Sequence, residues 1–343
     1  MRYSSRFFLY VPFLVLALLA AGAMLRWQNV ADDLANRLLQ ANQGREIASG
    51  VTLHFASEKI GGFPFNVDAV LDRLTLEVKS TRGPLAWHAE HFAMHALTFG
   101  RPLEIFEAAG WQSLSWTAAD GTSHRFAFVP GSLRGSAISS KGRLTRFDLD
   151  LVGIGSQELA GARMQLHLRQ EPGGGAIDVA ISADTLHLAP SLRAGFGADI
   201  PRLAIEGRFV PATRFGALLS GEEEWPSAME QWRLHAGTFA LDRFEMEWGG
   251  TEFQGSGRLS LDTMHRLLGR LALRISGAEK FPGADGRERL ADAIGRLTKD
   301  ELIFATTPLE MFIEFDNGLV NLREVAASKD KLVFPAGVVQ PLY

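Results

Sequence analysis

Two periods divide this chain. Up to about residue 43 the apolar positions follow a helix, and after Gly50 they alternate. Residues Phe7 to Leu25 read FFLYVPFLVLALLAAGAML, nineteen residues without a charge. About 20 apolar residues cross a bilayer core as a helix, so this run predicts a membrane anchor over residues 1–26. Beyond it, Val30, Leu34 and Leu38 recur every four residues with charge between them. That spacing predicts a helix linking span to domain over residues 27–49.

From Val51 onward most segments read as strands. Val51, Leu53 and Phe55 alternate with polar residues, and so do Phe92, Met94 and Ala96. The same holds for Phe126 and Phe128, for Met164, Leu166 and Leu168, for Leu271, Leu273 and Ile275, and for Met311, Ile313 and Phe315. Strict alternation gives one apolar and one polar face, the mark of an antiparallel sheet covered on one side. Asp120-Gly121, Gly173-Gly174-Gly175, Gly249-Gly250 and Asp316-Asn317-Gly318 supply turns between the runs. The fold class expected is mainly β. A transmembrane and linker helix precedes an elongated, curved, mainly antiparallel sheet domain over residues 50–343. Short helices are expected near 211–220, 261–269 and 286–299, the last with an apolar stripe of Leu290, Ile294 and Leu297.

One strand type recurs. Leu71-Asp72-Arg73-Leu74-Thr75-Leu76, Leu144-Thr145-Arg146-Phe147-Asp148-Leu149 and Leu241-Asp242-Arg243-Phe244-Glu245-Met246 share a pattern. In each, the alternation restarts one step out of phase at the arginine, as a bulge or bend requires. The shared pattern predicts similar placement within the sheet. It puts Leu74, Leu76, Phe147, Leu149, Phe244 and Met246 on one hydrophobic surface.

Charge sets the orientation. Arg2 and Arg6 precede the span, and Asp32 and Asp33 follow it. Basic flanks favour the cytoplasm, so the domain is expected outside the inner membrane, in the periplasm. A cleaved signal peptide is the alternative, since Ala21-Gly22-Ala23 resembles a cleavage site. Trp27 at the outer boundary suits an interfacial anchor instead. Three of the 35 basic residues and none of the 39 acids lie in residues 1–26, which leaves 32 against 39. A mildly acidic domain is a poor partner for nucleic acid. The chain holds no cysteine, which excludes disulfides and thiolate chemistry. Its 23 Phe against 3 Tyr favour apolar contact over sugar stacking.

Gly61-Gly62-Phe63-Pro64-Phe65 follows a span, a helix and one strand. That order resembles an uncharacterised bacterial envelope family, the domain-of-unknown-function family 2125. The stretches Gly237 to Gly250, Phe253 to Asp262 and Gly269 to Leu273 fit that family too, and are similar to the C-terminal part of AsmA-like proteins. The AsmA-like resemblance implies an inner-membrane anchor, a long curved sheet with an apolar groove, and a part in lipid traffic between membranes. This chain is much shorter than the larger AsmA-like members, too short to cross the envelope alone.

Catalytic signatures do not emerge. No Gly-x-Ser-x-Gly elbow, phosphate-binding loop or His-Glu-x-x-His occurs. His88, Glu90, His91 and His95 cluster, but period two sets His91 and His95 on the polar face, away from Phe92, Met94 and Ala96. Glu222-Glu223-Glu224 before Trp225-Pro226 reads as a solvated loop and helix start. The expected protein is therefore not an enzyme and uses no cofactor or metal. Its expected role is binding or handling lipid in envelope maintenance. The expected partners are the inner membrane, phospholipid or another acyl-chain lipid, and other envelope proteins. The lipid-contact candidates are Phe63, Phe65, Leu74, Leu76, Phe147, Leu149, Phe244 and Met246. A scaffold that docks another envelope protein and an unrecognised periplasmic hydrolase are the alternatives.

Overall fold

The computed structural model describes residues 5–81, 83–99, 103–118, 121–193, 197–277, 309–324 and 334–342. One helix, α1 (Ser5–Asn42), joins the apolar run and the linker without a break. Among the described residues sixteen strands follow: β1 (Val51–His54), β2 (Ser57–Gly61), β3 (Asn66–Val78), β4 (Leu85–Leu97), β5 (Leu103–Thr117), β6 (Ser123–Ser140), β7 (Arg143–Ser156) and β8 (Leu159–Gln170). Then come β9 (Ile177–Leu188), β10 (Asp199–Val210), β11 (Thr238–Trp248), β12 (Thr251–Leu261), β13 (Leu267–Ser276), β14 (Leu309–Asp316), β15 (Leu319–Glu324) and β16 (Phe334–Val338). They form one antiparallel sheet in chain order, with β2 pairing β3 off the main path. At about 4.8 Å per strand, fifteen strands span roughly 70 Å. The path starts at β1 and ends at β16 without joining them, so the sheet is open.

A crease crosses eight of these strands. Asp72 pairs with His91 and Leu74 with Ala89, which skips Arg73 and Glu90. The skip recurs at Gly153 and Ala162, at Ala162 and Thr185, and at Thr185 and Pro201. Between them β5 carries an irregularity from Ala108 to Gln112, and Gly131 faces Gly153. Every second strand has a positive φ on this line: Arg73 at 53°, Gly110 at 76°, Gly153 at 65° and Thr185 at 52°. Such residues bend a strand and shift its alternation by one. Leu71 and Leu74 therefore both point inward, each 2% exposed. The crease divides the sheet into a long arm present in every strand from β3 and a shorter arm that ends by β10.

The sheet folds along this line into a trough. Two short helices, α2 (Gly216–Leu219) and α3 (Trp225–Leu234), follow β10 at the lip of the long arm. From there they reach the lip of the short arm. Ser49 N–H donates to the Gly221 carbonyl at 2.8 Å, and Lys79 Nζ lies 3.8 Å from Glu224. Trp232 anchors this strap, donating Nε1–H to the Val210 carbonyl at 3.1 Å and packing with Phe209 and Phe215.

Two expectations on the connecting segments meet different outcomes. A helical turn and α2 occupy residues 212–219, as the pattern near 211–220 indicates. No helix occupies 261–269. The Asp262 carboxylate accepts the N–H groups of Met264 and Arg266, which makes a tight turn between β12 and β13. That side chain offers the backbone a competitor to helix, and Leu267 opens a strand. The segment 286–299 lies outside the described residues.

Candidate functional site

The inner face of the long arm is built from continuous rows. Register places Leu71, Phe92, Ala108, Leu133, Leu151 and Met164 side by side. The row continues through Ala183, Leu203, Met246, Phe253 and Ile275. A second row holds Ala69, Met94, Phe106, Gly135, Leu149 and Leu166, then Ile181, Ile205, Phe244, Gly255 and Leu273. A third contains Phe147, Leu168, Val179, Leu241 and Leu271. Directly opposed antiparallel residues share a face, so these rows make one apolar strip. Across the ten strand steps from β3 to β13 it runs roughly 50 Å.

The sequence-derived residues fall into three places. Leu149 and Phe244 stand in the same row, with Met246 and Phe147 in the rows beside it. Leu74 and Leu76 face inward from the short arm, across the crease. Phe63 and Phe65 lie on neither arm; the β2–β3 loop carries them at the lip, 53% and 72% exposed. The three repeated segments all carry an irregularity: positive φ at Arg73, a register shift beside Thr145 and another across Asp242–Arg243. Only Arg73 belongs to the crease. On β7 that place is taken by Gly153, which alternation does not reveal.

The trough is filled unevenly. At the β3–β6 end, Leu38 and Ala41 of α1 pack with Leu53, Leu71, Leu74 and Leu133. Phe106 lies across Gly135, where an added Cβ would come within 2.0 Å of its ring. That glycine lets Phe106 stack between Phe92 and Phe147, at 6.4 and 5.6 Å. At the β11–β14 end an apolar cavity of about 290 Å³ lies over Gly255, lined by Phe244, Met246, Phe253, Leu271, Leu273 and Ile313. A larger concavity of about 430 Å³ opens on the polar side of the same strands, among Arg243, Gln254 and Arg274.

Cross-strand ion pairs cover the outer face. Arg163 bonds Asp150 at 2.7 Å, and Arg243 bonds both Glu206 and Glu245. Hydrogen bonding from Arg163 holds the Asp150 carboxyl below its ordinary value, and Arg243 does the same for Glu245. Partial burial works against ionising Asp148, but hydrogen bonds from Arg146 and His167 outweigh it and lower its pKa. His91 Nδ1 lies 2.9 Å from Asp72 and His95 Nδ1 2.8 Å from Asp68, each a cross-strand pair on this polar face. Among the described residues no group of three His, Cys, Asp or Glu is placed to hold a metal.

Fold and face together define an open trough-shaped β-sheet protein, carried on an N-terminal helix long and apolar enough to cross a membrane. The chain belongs to a bacterial family described as "Uncharacterized protein conserved in bacteria (DUF2125)", whose model matches residues 27–291. The match starts at Trp27, where the charge-free run has just ended. No curated protein matches the chain.

Proposed function

We propose that this protein holds the acyl chains of lipid in its trough and serves envelope maintenance without catalysis. We place the α1 span in the inner membrane and the sheet in the periplasm. The observation that carries this reading is the uninterrupted apolar strip on an open sheet. A closed barrel of this length would bury such a strip in its own core, whereas the trough leaves Phe147, Leu149, Phe244 and Met246 only half-buried. A concave, mainly apolar channel with few polar groups suits a hydrocarbon ligand. The AsmA-like resemblance of Gly237 to Leu273 points the same way. The flanking Arg2 and Arg6 support a cytoplasmic N-terminus.

Photo-crosslinking amino acids at Leu149 and Met246, in the full chain within its native membrane, test the reading. Adducts carrying lipid mass are expected at both sites. Adducts to protein alone would remove the lipid-trough reading and leave the scaffold in its place.

A further inference from the structure

The Phe63-Pro64-Phe65 motif stands apart from the trough. Two loops meet at the lip where β3 begins and β4 ends. Thr98 N–H donates to the Phe65 carbonyl at 2.9 Å and ties the two loops together. Their tips expose Phe63, Phe65, Leu97 and Phe99, between 45% and 72% each. Gly62 is required at the corner: its φ is +96°, and a Cβ there would lie 2.7 Å from the Asp68 carboxylate.

Four exposed large apolar side chains on two joined loops are a costly surface in water. Their position supplies the reason. Trp27 of α1 meets Phe63 edge-on at 5.6 Å and donates Nε1–H to the Asn66 carbonyl at 2.7 Å. Arg26 donates to the Thr98 carbonyl at 3.2 Å, with its guanidinium 5.1 Å over the Phe99 ring. Arg26 and Trp27 are the first residues after the charge-free run that ends at Leu25. The aromatic tip is thus clamped to the helix at the level where hydrocarbon gives way to headgroups. Tryptophan concentrates at that level, Phe and Leu side chains bury themselves at the headgroup–acyl boundary, and a neighbouring arginine suits lipid phosphate.

We infer that the tip formed by Phe63, Phe65, Leu97 and Phe99 inserts into the interface of the bilayer that α1 crosses, and seats one end of the trough on the membrane. The occupant of this surface is lipid, not a second copy or another protein. Val67 and Ala96, which begin the third inner row, lie next along the same strands. Glu104 stands next in that row, so the apolar path from the bilayer turns past Val67 and Ala96 into the second row, over Ala69, Met94 and Phe106. The inference rests on α1 spanning a membrane, and it deepens the lipid reading without needing it.

The absence of native cysteine makes the test direct. Single variants Phe65→Cys, Leu19→Cys and Arg274→Cys of the full chain each carry a fluorophore. They are reconstituted in vesicles of phosphatidylethanolamine and phosphatidylglycerol with brominated acyl chains. Leu19 reports on the span, and Arg274 lies ten strands away on β13. Quenching at Phe65 is expected several-fold above that at Arg274 and close to that at Leu19. Quenching at Phe65 equal to that at Arg274 overturns the inference, as does an unquenched label at Leu19. Shielding of Phe65 from aqueous iodide without quenching by bromine would mean a second copy covers the tip, and also overturns it. Circular dichroism of the Phe65 variant separates misfolding from a failed insertion, and a Phe63→Cys label repeats the measurement if Phe65→Cys misfolds. The two lipid ideas fail separately: lipid-free crosslinks at Leu149 and Met246 with a quenched Phe65 remove the trough ligand and keep the seat.

Discussion

Gly135 and Gly255 occupy the same inner row, yet their surroundings are opposite. Over Gly135 the Phe106 ring fills the gap left by the missing side chain and joins an aromatic stack. Over Gly255 the gap stays open as a cavity of about 290 Å³. The difference extends to whole regions. On β3, Val67, Ala69, Leu71 and Leu74 are all 2% exposed or less, under α1 and beside a second arm. On β11, Leu241 and Phe244 stay half-buried beyond the last strand of the short arm, while Met246, also half-buried, packs against Leu186, Leu188 and Ile200 of that arm. In the first row beside them Phe253 and Ile275 are buried, so one alternating pattern makes a closed core at one end of the sheet and a half-open apolar surface at the other. What converts one into the other is the partner, not the strand.

The widest test of that contrast is a buried charge at each end. Leu74→Asp should cost more than about 3 kcal/mol, since an unpaired carboxylate would sit in a closed core. It should abolish the cooperative thermal transition of the full chain in detergent. Phe244→Asp should keep that transition, within about 2 kcal/mol, because the half-buried site beside the cavity lets the carboxylate reach water. It should lower lipid recovered by native mass spectrometry several-fold. If both variants unfold alike, the second region is a core as well.

The two glycines refine the comparison. Gly255→Leu should fill the cavity and reduce bound acyl chain several-fold, at a cost of about 1–3 kcal/mol, because an added Cβ there lies 3.1 Å from the Ala272 carbonyl oxygen and the strand must give by a few tenths of an ångström. Gly135→Ala should cost about 1–2 kcal/mol by pushing Phe106 out of its stack, with lipid binding unchanged. Chemical denaturation and lipid mass analysis of both variants would check the pair. Loss of lipid in Gly135→Ala alone would reverse the assignment of the two ends.

Much of this was legible as alternation. Which residues face inward on β3, β7, β8 and β11 follows from period two, and the one-residue slips at Arg73 and Asp242–Arg243 follow from the broken alternation. The crease was not legible as a line. Gly110, Gly153 and Thr185 align only once the strands are in register, and register is a property of pairs, invisible in any one segment. The strap was half legible: the acidic run and Pro226 mark its helix start, but nothing in the sequence shows it reaching Ser49 and Lys79. Residues 261–269 misled because Leu261, Met264, Leu267 and Leu268 mimic a helical stripe, while Asp262 spends its carboxylate on a turn. For Phe63 and Phe65 the motif was visible and its place was not, since that depends on Trp27 and Thr98.

The crease itself can be tested at Thr185, a β-branched residue at φ 52°. A β-branched side chain is strained in that region by about 1–3 kcal/mol. Glycine has no such penalty but gives the unfolded chain more freedom. Thr185→Gly should therefore stabilise by about 1 kcal/mol, read as a higher thermal midpoint with unchanged far-UV circular dichroism. A lower midpoint would mean the threonine is held there by contacts that outweigh the strain.

The smallest effect is expected on the outer face, where the two regions are alike. Asp72 on β3 and Glu245 on β11 are both held below their ordinary values, Asp72 first by a hydrogen bond from His91 and Glu245 first by one from Arg243. A carboxyl whose pKa is lowered by folding binds protons more weakly in the folded chain. Its contribution is complete above the unfolded pKa and is lost as pH falls through the folded one. Stability should therefore hold from neutral pH down to the usual carboxylate range and decline below it. Each pair is solvent-exposed, so Asp150→Asn, which breaks the bond from Arg163, should cost under about 1 kcal/mol. That cost should shrink in high salt, because exposed charges are screened. Thermal midpoints of the parent and Asp150→Asn across pH and salt would show this. A loss near neutral pH, or a salt-independent cost, would mean these pairs are buried by a partner that covers the polar face.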